Sequence, residues 1–460
     1  MILQNDTIAA VATGSVLSAI GIIRLSGPGA IDTVSRVFRP ARGGTMAAAE
    51  DRRLVYGALT DTDGRTLDLC LCTVSRGPHS YTGEDTAELQ CHGSPAVLSA
   101  GLQALFAAGA RQACPGEFTQ RAFLNGRMDL TQAEAVVDLI DAQTAEAAKN
   151  AAGQLGRAVT RETERIRSAL TDMMAHFHAV LDYPDEDIDA FSMAGCVQTL
   201  EDCAGCLRSL LGTFRRGQIL KDGAACAVIG RPNTGKSSLM NALLGYDRAI
   251  VTDIPGTTRD TIEEKVRCGH VLLRLTDTAG IRETLDPVEK QGVERSQQTA
   301  REASLVFAVL DASQPLEQAD REILRLAAQA EKSVAVLNKC DLGCVIGETD
   351  VESGVSAVCR VSARTGEGLE QLCRTVEMLM EAEAPADAGR TLLTNARQAQ
   401  AVQRALESVE AAQQAAAEGI TPDAVLTCVE DALYALGELT GANVREDITQ
   451  RIFERFCVGK

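Results

Sequence analysis

Gly230-Arg-Pro-Asn-Thr-Gly-Lys-Ser237 has the G-x-x-x-x-G-K-S spacing that builds a cradle for the phosphates of a nucleotide. Its glycines let backbone N–H groups turn inward onto phosphate oxygens, Lys236 reaches the β and γ phosphates, and the Ser237 hydroxyl can ligate magnesium. Upstream, Ala224 to Ile229 reads as a short buried strand, and downstream Ser237 to Leu244 reads as a helix that opens at the loop. Strand, loop and helix are the setting this motif needs.

Four further signals follow in order. Thr252-Asp-Ile-Pro-Gly-Thr-Thr-Arg-Asp260 is a polar loop whose Thr258 hydroxyl could complete a magnesium shell beside Ser237. Leu272 to Asp277 reads as a strand ending in Asp277-Thr-Ala-Gly280, where the carboxylate can hold magnesium through water and the Gly280 N–H can meet the γ phosphate. The strand Ser333-Val-Ala-Val-Leu337 then delivers Asn338-Lys-Cys-Asp341, whose aspartate can accept both the N1–H and the 2-amino hydrogens of guanine. Adenine offers no such pair of donors, and a buried site left unpaired rejects the wrong ligand by ~10⁴ or more. Ser362-Ala-Arg364 closes the set with backbone groups that could brace the base.

The expected GTP contacts are therefore Asn233, Thr234, Gly235, Lys236, Ser237 and Ser238; Thr252, Asp253, Ile254, Pro255, Gly256, Thr257 and Thr258; Asp277, Thr278, Ala279 and Gly280; Asn338, Lys339 and Asp341; and Ser362, Ala363 and Arg364.

Two details bear on mechanism. Where small signalling GTPases place a water-orienting glutamine after D-T-A-G, this chain has Ile281, which cannot hold a water. Either hydrolysis is very slow, or another residue supplies the polar group, and Glu289 in the loop from Arg282 to Gly292 is the candidate. Asn233, in turn, faces a loop able to offer carbonyls between Thr252 and Thr257, and neutral oxygens around a phosphate suit a large monovalent cation. Such an ion would neutralise charge developing on the β–γ bridge as an arginine finger does.

Composition narrows the rest. At 460 residues the chain should hold about three domains. No run of apolar residues is long enough to span a membrane, and the start Met1-Ile-Leu-Gln-Asn-Asp-Thr7 lacks the basic region of a secretory signal, so a cytoplasmic protein is expected. Fifteen cysteines without a regular framework suggest free thiols, and Cys203-x-x-Cys206 has no second pair to make a zinc site. A net charge of −18 disfavours sequence-independent binding to nucleic acid, so any RNA contact needs a local basic patch. A ribosome-assembly GTPase would predict a basic appendage, which this acidic chain lacks; a GTP-dependent scaffold would be told apart by absent turnover.

Along the chain, residues 1–122 read as a strand-prone α/β domain. Residues 123–220 turn helical, beginning with a capping box in Thr131-Gln-Ala-Glu134, and Ile166, Leu170, Met173, Phe177 and Val180 recur at helical spacing. His176 and His178, two apart, face different ways and are not expected to be metal ligands. Residues 221–382 alternate strand and helix patterns in the manner of a parallel sheet covered on both faces. Residues 383–460 return to helix, with a start at Thr421-Pro-Asp423, a stripe of Leu426, Val429, Leu433 and Leu436, and a stop at Gly441. The fold expected is multidomain: an N-terminal α/β domain, a discontinuous all-α domain, and a P-loop GTPase domain inserted within it.

The order of these zones, the G-x-P-N-x-G-K-S loop, T-D-I-P-G-T-T-R-D and the closing Phe456-Cys-Val-Gly-Lys460 resemble the bacterial tRNA-modification GTPase family MnmE, also called TrmE. Ile23-Arg-Leu-Ser-Gly27, Ser80-Tyr-Thr-Gly-Glu-Asp85 and Pro115-Gly-Glu-Phe-Thr-Gln-Arg-Ala-Phe-Leu-Asn125 add to the likeness, while Ala12-Thr-Gly-Ser-Val-Leu-Ser-Ala-Ile20 carries fewer glycines than the family's usual text. The resemblance implies a Ras-like GTPase domain and a folate-binding-like, dimerising N-terminal domain. It implies GTP hydrolysis with potassium and magnesium, tRNA as substrate, and an FAD-containing partner, MnmG or GidA, in a heterotetramer or larger complex. The reaction implied adds an aminomethyl or carboxymethylaminomethyl group to C5 of the wobble uridine, at position 34, with carbon from 5-formyl- or methylene-tetrahydrofolate. By resemblance, Asn233, Thr252, Ile254 and Thr257 would hold potassium, Ser237 and Thr258 magnesium, and Glu289 would assist the attacking water. The folate site would fall on Arg24, Glu84, Arg127 and Lys460, whose carboxylate can pair with pterin N–H donors while the cations meet the glutamate tail. Cys457 is assigned involvement without a named step.

Overall fold

A computed structural model describes residues 6–14, 17–182, 193–246, 263–277, 301, 303–351, 354–381, 392–443, 452–453 and 456–459. The chain forms two compact units, one of Met1–Val137, Gln154–Ala204 and Arg404–Lys460, the other of Asp138–Gly153 and Gly205–Gln403.

The first unit is built on strands β1 (Ile8–Val11), β2 (Ser18–Ser26), β3 (Phe38–Pro40), β4 (Val55–Thr60), β5 (Thr66–Ser75), β6 (Thr86–Gly93) and β7 (Arg111–Gln112). They form one sheet in the order β3-β4-β5-β6-β2-β1-β7, antiparallel throughout except where β7 runs parallel to β1. Alternation sets its inner face: on β5, Cys70, Cys72 and Val74 are buried while Leu69 is exposed. Helices α1 (Ala30–Val37) and α2 (Pro95–Ala107) cover that face, bringing Ile31, Val34, Leu98 and Leu105 against Leu25, Leu59 and Leu89.

Helices α3 (Glu117–Leu124) and α4 (Leu130–Asp141) follow. The capping box lies two residues earlier than the sequence suggested, at Asp129 and Gln132 rather than Thr131 and Glu134. Asp129 Oδ1 accepts the Gln132 N–H at 2.9 Å, and Gln132 Oε1 accepts the Asp129 N–H at 3.1 Å. Asp129 also takes the hydroxyls of Thr131 and Thr160 at 2.6 Å each, so a carboxylate with four acceptor sites displaces a threonine with fewer.

Next come α5 (Ala145–Leu155), α6 (Ala158–Asp182), α7 (Met193–Leu211) and α8 (Phe214–Asp222). On α6, Ile166, Leu170 and Met173 are buried, while Phe177 and Val180 are only half-buried.

The second unit carries β8 (Ala224–Ile229), α9 (Lys236–Tyr246), β9 (Glu263–Cys268), β10 (Val271–Asp277), β11 (Leu305–Asp311), α10 (Gln318–Ala327), β12 (Ser333–Asn338), β13 (Ala357–Arg360) and α11 (Leu369–Glu381). Its sheet runs β13-β12-β11-β8-β10-β9, parallel except for the antiparallel edge strand β9. β11 and β12 are buried at every position, as parallel strands covered on both faces must be. Leu239 and Leu243 of α9 and Leu369, Leu372, Cys373 and Val376 of α11 pack on one face with Val228, Leu275 and Phe307. On the other, Ala327, Ile323 and Leu324 of α10 meet Ile229, Val306 and Ala308. This is the P-loop GTPase arrangement, in which ligands meet the carboxyl ends of the parallel strands.

Helices α12 (Ala396–Ala417) and α13 (Pro422–Thr440) close the described helices. Pro422 occupies the first turn of α13, and Gly441 ends it at φ 92, a left-handed conformation that glycine adopts without strain. In the first unit, Phe453 and Phe456 then pack on Leu130, Ala133 and Val136 of α4, with the two rings 5.3 Å apart. Loss of one such buried aromatic costs about 3–5 kcal/mol. No described helix is long and apolar enough to cross a membrane.

Candidate functional site

The phosphate loop leaves β8 at Ile229 and enters α9 at Lys236. Close approach explains its glycines: a Cβ on Gly230 would stand 2.5 Å from the Val309 carbonyl oxygen, and one on Gly235, at φ 92, 2.3 Å from Asn338 Nδ2. Asn233 takes a left-handed φ of 63, which asparagine tolerates better than most residues, and its side chain is exposed. Lys236 is buried, its Nζ donating to the carbonyls of Gly230 at 2.9 Å and Arg231 at 2.8 Å. Thr234 is also buried and donates to Arg231 O, whereas Ser237 and Ser238 are exposed in the first turn of α9.

The loops at Asn338–Asp341 and Ser362–Arg364 close against this loop. Asn338 is 2% exposed. Its Nδ2 donates to Thr234 O at 2.9 Å, and its Oδ1 accepts the Ala363 N–H at 3.0 Å. Lys339, at φ 66, pairs with Asp311 at 2.6 Å. Burial pushes the Asp311 carboxyl up, but Lys339 and the Ser313 hydroxyl and N–H outweigh it and hold the group below its ordinary range. Asp341 accepts the Ser362 hydroxyl at 2.7 Å and pairs with Arg364 at 2.6 Å; the Ser362 hydrogen bond and then Arg364 keep it ionised below its ordinary range. A carboxylate so held is an acceptor for two adjacent N–H donors.

Two partners were not anticipated from sequence. Arg231, inside the loop, pairs with Asp320 at 2.7 Å and Glu317 at 2.5 Å at the start of α10. Asp311 is the other, signalled only by an acid that ends a fully buried strand. Asp277 ends β10 as expected. Thr252, Asp253, Ile254, Pro255, Gly256, Thr257, Thr258, Thr278, Ala279, Gly280, Ile281 and Glu289 lie outside the described residues.

In the first unit Arg24, Glu84 and Arg127, three of the four residues expected to hold folate, lie at the loop Ser80–Glu84. Arg24 on β2 pairs with Glu88 at 2.8 Å and lies 5.5 Å from the Tyr81 ring centroid and 5.9 Å from that of Phe118. Glu84 accepts the Ser26 hydroxyl at 2.7 Å and the Arg121 guanidinium at 3.2 Å. Arg127 is exposed, its Nε donating to Ser80 O at 3.1 Å. Arg121 is the residue the sequence did not single out: buried, it pairs with Asp6 at 2.7 Å and Glu117 at 2.9 Å as well as with Glu84. The chain's end comes to the same strands. Val458 bridges to Pro115, and Gly459, at φ 101, sits so close to Val11 O that a Cβ would be 2.2 Å away. Val11 is next to Ala10, the partner of Arg24 across β1 and β2. Cys457 is exposed in this segment, and Lys460 lies outside the described residues.

A family model described as the MnmE helical domain matches residues 130–457, and one described as the GTP-binding protein TrmE N-terminus matches residues 7–127. The tRNA modification GTPase MnmE of Roseiflexus sp. (strain RS-1) is 44% identical over 472 aligned residues, covering 100% of both chains. That of Symbiobacterium thermophilum is 44% identical over 465 residues, covering 99% of this chain and 100% of the relative. Among solved structures, the G domain of the T. maritima FeoB iron transporter overlaps 34% of this chain and 97% of its own at 24% identity, with a TM-score of 0.26 that adds nothing to these matches. Likeness of this degree across the whole of both chains means that the chain belongs to the family of the tRNA modification GTPase MnmE.

Proposed function

We propose that the chain is a potassium-dependent GTP hydrolase that works in tRNA modification, at the wobble uridine, with an FAD-containing partner of the MnmG (GidA) type and a folate one-carbon unit. The observation that supports the guanine half is the Asn338 amide, which ties the phosphate loop to the Ser362–Arg364 turn that in turn braces Asp341.

In this reading the loop N–H groups and Lys236 receive the phosphates, and Asp341 reads N1–H and the 2-amino group of guanine. Ser237, exposed where α9 opens, is the magnesium ligand, with Thr258 its companion. Asn233, exposed in its left-handed turn, offers a neutral oxygen to potassium together with Thr252, Ile254 and Thr257. The two ions, when bound, supply positive charge against the charge that develops between the β and γ phosphates. Glu289 orients the attacking water in place of the glutamine that Ile281 replaces.

Around Ser80–Glu84, Arg24 and Arg127 suit the anionic tail of a tetrahydrofolate and Glu84 its pterin, with Lys460 a further cation for the tail, and the exposed Cys457 stands in the segment that bridges to Pro115. Assembly is a homodimer through the N-terminal domain, with the partner protein bound in a larger cytoplasmic complex. Steady-state hydrolysis in matched potassium and sodium salts tests the cation: faster turnover in potassium is expected, and equal rates overturn it. The wobble-uridine content of tRNA from cells lacking the protein tests the pathway, and an unchanged nucleoside profile overturns that part.

A further inference from the structure

Alternation along β5 turns Asp68, Cys70 and Cys72 to one face of the first unit's sheet. On the neighbouring strand β6, Cys91 stands directly opposite Cys70, because Leu71 pairs with Gln90 and Cys72 with Leu89. Residues so placed on antiparallel strands have Cβ atoms about 4.5–5.5 Å apart. A third group joins the two thiols. Among the described residues this is the one place where three side chains able to ligate a metal converge: a carboxylate oxygen of Asp68, Cys70 Sγ and Cys91 Sγ all lie within 4.8 Å of one another. Both thiols are free and buried. Cys203-x-x-Cys206, the cysteine motif that the sequence displays, gathers no such third ligand among the described residues.

The spacing is close to what a tetrahedral ion needs. Bonds of about 2.3 Å to sulfur and about 2.1 Å to oxygen put neighbouring ligand atoms about 3.6–3.8 Å apart. Closing the cluster from its present limit takes a movement of about 1 Å. The sheet is irregular on both sides of these residues, which gives the strands that play: the register of β4 on β5 shifts just past Leu59, the partner of Asp68, and that of β2 on β6 shifts beside Gly21, the partner of Cys91.

The carboxylate is already oriented. Asp68 Oδ2 accepts the His92 N–H at 2.8 Å, and Oδ1 stands 2.8 Å from His92 Nδ1. A carboxylate has about four acceptor sites, so both oxygens keep a lone pair for an ion, and a hydrogen-bonded partner of this kind is what holds a ligating group in place. Solvent reaches the cluster past the imidazole: the Asp68 side chain is 10% exposed and that of His92 73%.

We propose that Asp68, Cys70 and Cys91 form a zinc site that fastens β5 to β6, with water as the fourth ligand. Each thiol gives up its proton to solvent as its sulfur bonds the ion, so two thiolates and a carboxylate meet the double positive charge. Thiolates select zinc over magnesium and calcium, which take oxygen shells. The site is independent of the guanine and folate readings.

The test takes the full-length protein, strips it with a chelator, keeps it reduced with a phosphine, and titrates Co²⁺ as a coloured substitute for zinc. Oxygen ligands give no thiolate-to-cobalt charge-transfer band, so that band reports sulfur and is silent about a magnesium site. Expected are a band that saturates with a single ion per chain and is bleached by zinc, and a thermal midpoint raised by zinc. Cys70→Ala and Cys91→Ala should each lose the band, whereas Cys344→Ser and Cys457→Ser, at exposed thiols, should leave the titration unchanged. His92→Ala spares all three ligands and should bind cobalt about tenfold more weakly. Absence of the band, or its survival in Cys70→Ala and Cys91→Ala, overturns the site; undiminished affinity in His92→Ala overturns the part given to His92. Should either cysteine variant fail to fold, Asp68→Asn decides: cobalt binding about tenfold or more weaker supports the site, and unchanged binding overturns it.

Discussion

Asn338 Nδ2 donates to the Thr234 carbonyl at 2.9 Å, so the loop that would read the base and the loop that would hold the phosphates share one buried amide. Its Oδ1 takes the Ala363 N–H as well, and Asn338→Ala would leave two backbone groups unpaired in the interior. Each such loss costs about 1–3 kcal/mol. GDP affinity by calorimetry should fall ~10- to 100-fold; an unchanged affinity would mean that the two loops are positioned independently.

Gly235 approaches the same amide from the other side. An alanine there meets Asn338 Nδ2 at 2.3 Å and must also hold φ 92, which costs an L-residue about 1–2 kcal/mol. Gly235→Ala should therefore weaken GDP binding by about tenfold or more while leaving it measurable. The double variant Gly235→Ala/Asn338→Ala relieves the collision but not the backbone strain, so the two effects on affinity should be less than additive. Strict additivity in a double-mutant cycle would show that the contact contributes nothing.

Asp341→Asn exchanges an acceptor-only carboxylate for an amide that also donates. Guanine, with two N–H donors on that edge, loses a partner, whereas xanthine presents a carbonyl where guanine has its amino group and gains one. GTP hydrolysis at low substrate should fall at least a hundredfold and XTP should become the better substrate. Ser362 and Arg364, which flank Asp341 at 2.7 and 2.6 Å, remain to orient the new amide. Retained preference for GTP would assign guanine recognition to another residue.

How much of this was legible in the sequence depends on how far apart the partners lie. The strand Ala224–Ile229, the helix after the phosphate loop and the Pro422 and Gly441 ends of α13 rest on neighbours within a few residues, and they stand where local pattern puts them. The capping box was displaced because Asp129, an acid before a helix, takes the Gln132 N–H and draws in the Thr131 hydroxyl as a donor, so Thr131 serves the cap instead of being it. Arg231, Asp311 and Arg121 were missed for a different reason. Arg231 meets Asp320 across 89 residues and Arg121 meets Asp6 across 115, and a single sequence carries no trace of such pairings until the sheets are assembled.

Arg121 is 4% exposed and faces Asp6, Glu84 and Glu117. Arg121→Met keeps the volume and removes the charge, leaving the buried Glu117 and the half-buried Asp6 and Glu84 short of a partner at a cost of about 3 kcal/mol. Burial pushes Glu117 up, but Arg111, the Cys114 N–H and Arg121 hold it below its ordinary range, and Asp6 is lowered by Arg111 and Arg121 against its own burial. Groups lowered on folding stabilise the fold fully above the ordinary carboxylate pKa of about 4, and that contribution disappears as pH falls through the depressed values. Urea midpoints of the native protein should hold between neutrality and about pH 5, then decline. The variant should start lower at neutral pH and decline less; parallel curves would remove the ion pairs from the account.

Arg24 is the sharpest test of the folate reading because its surroundings fix it before any ligand arrives. Glu88 takes its Nε at 2.8 Å, and the rings of Tyr81 and Phe118 lie 5.5 and 5.9 Å from its guanidinium carbon, so the planar fork is oriented and part of its rotamer entropy already lost. Arg24→Ala removes the fork, and a formyl-tetrahydrofolate should bind about tenfold or more weakly in calorimetry. Arg24→Lys keeps the charge on a flexible stem without the planar geometry and should recover only part of the loss. A contribution to folding alone would lower the thermal midpoint of both variants and leave their folate affinities equal to that of the native chain, and that outcome would take Arg24 out of the folate site.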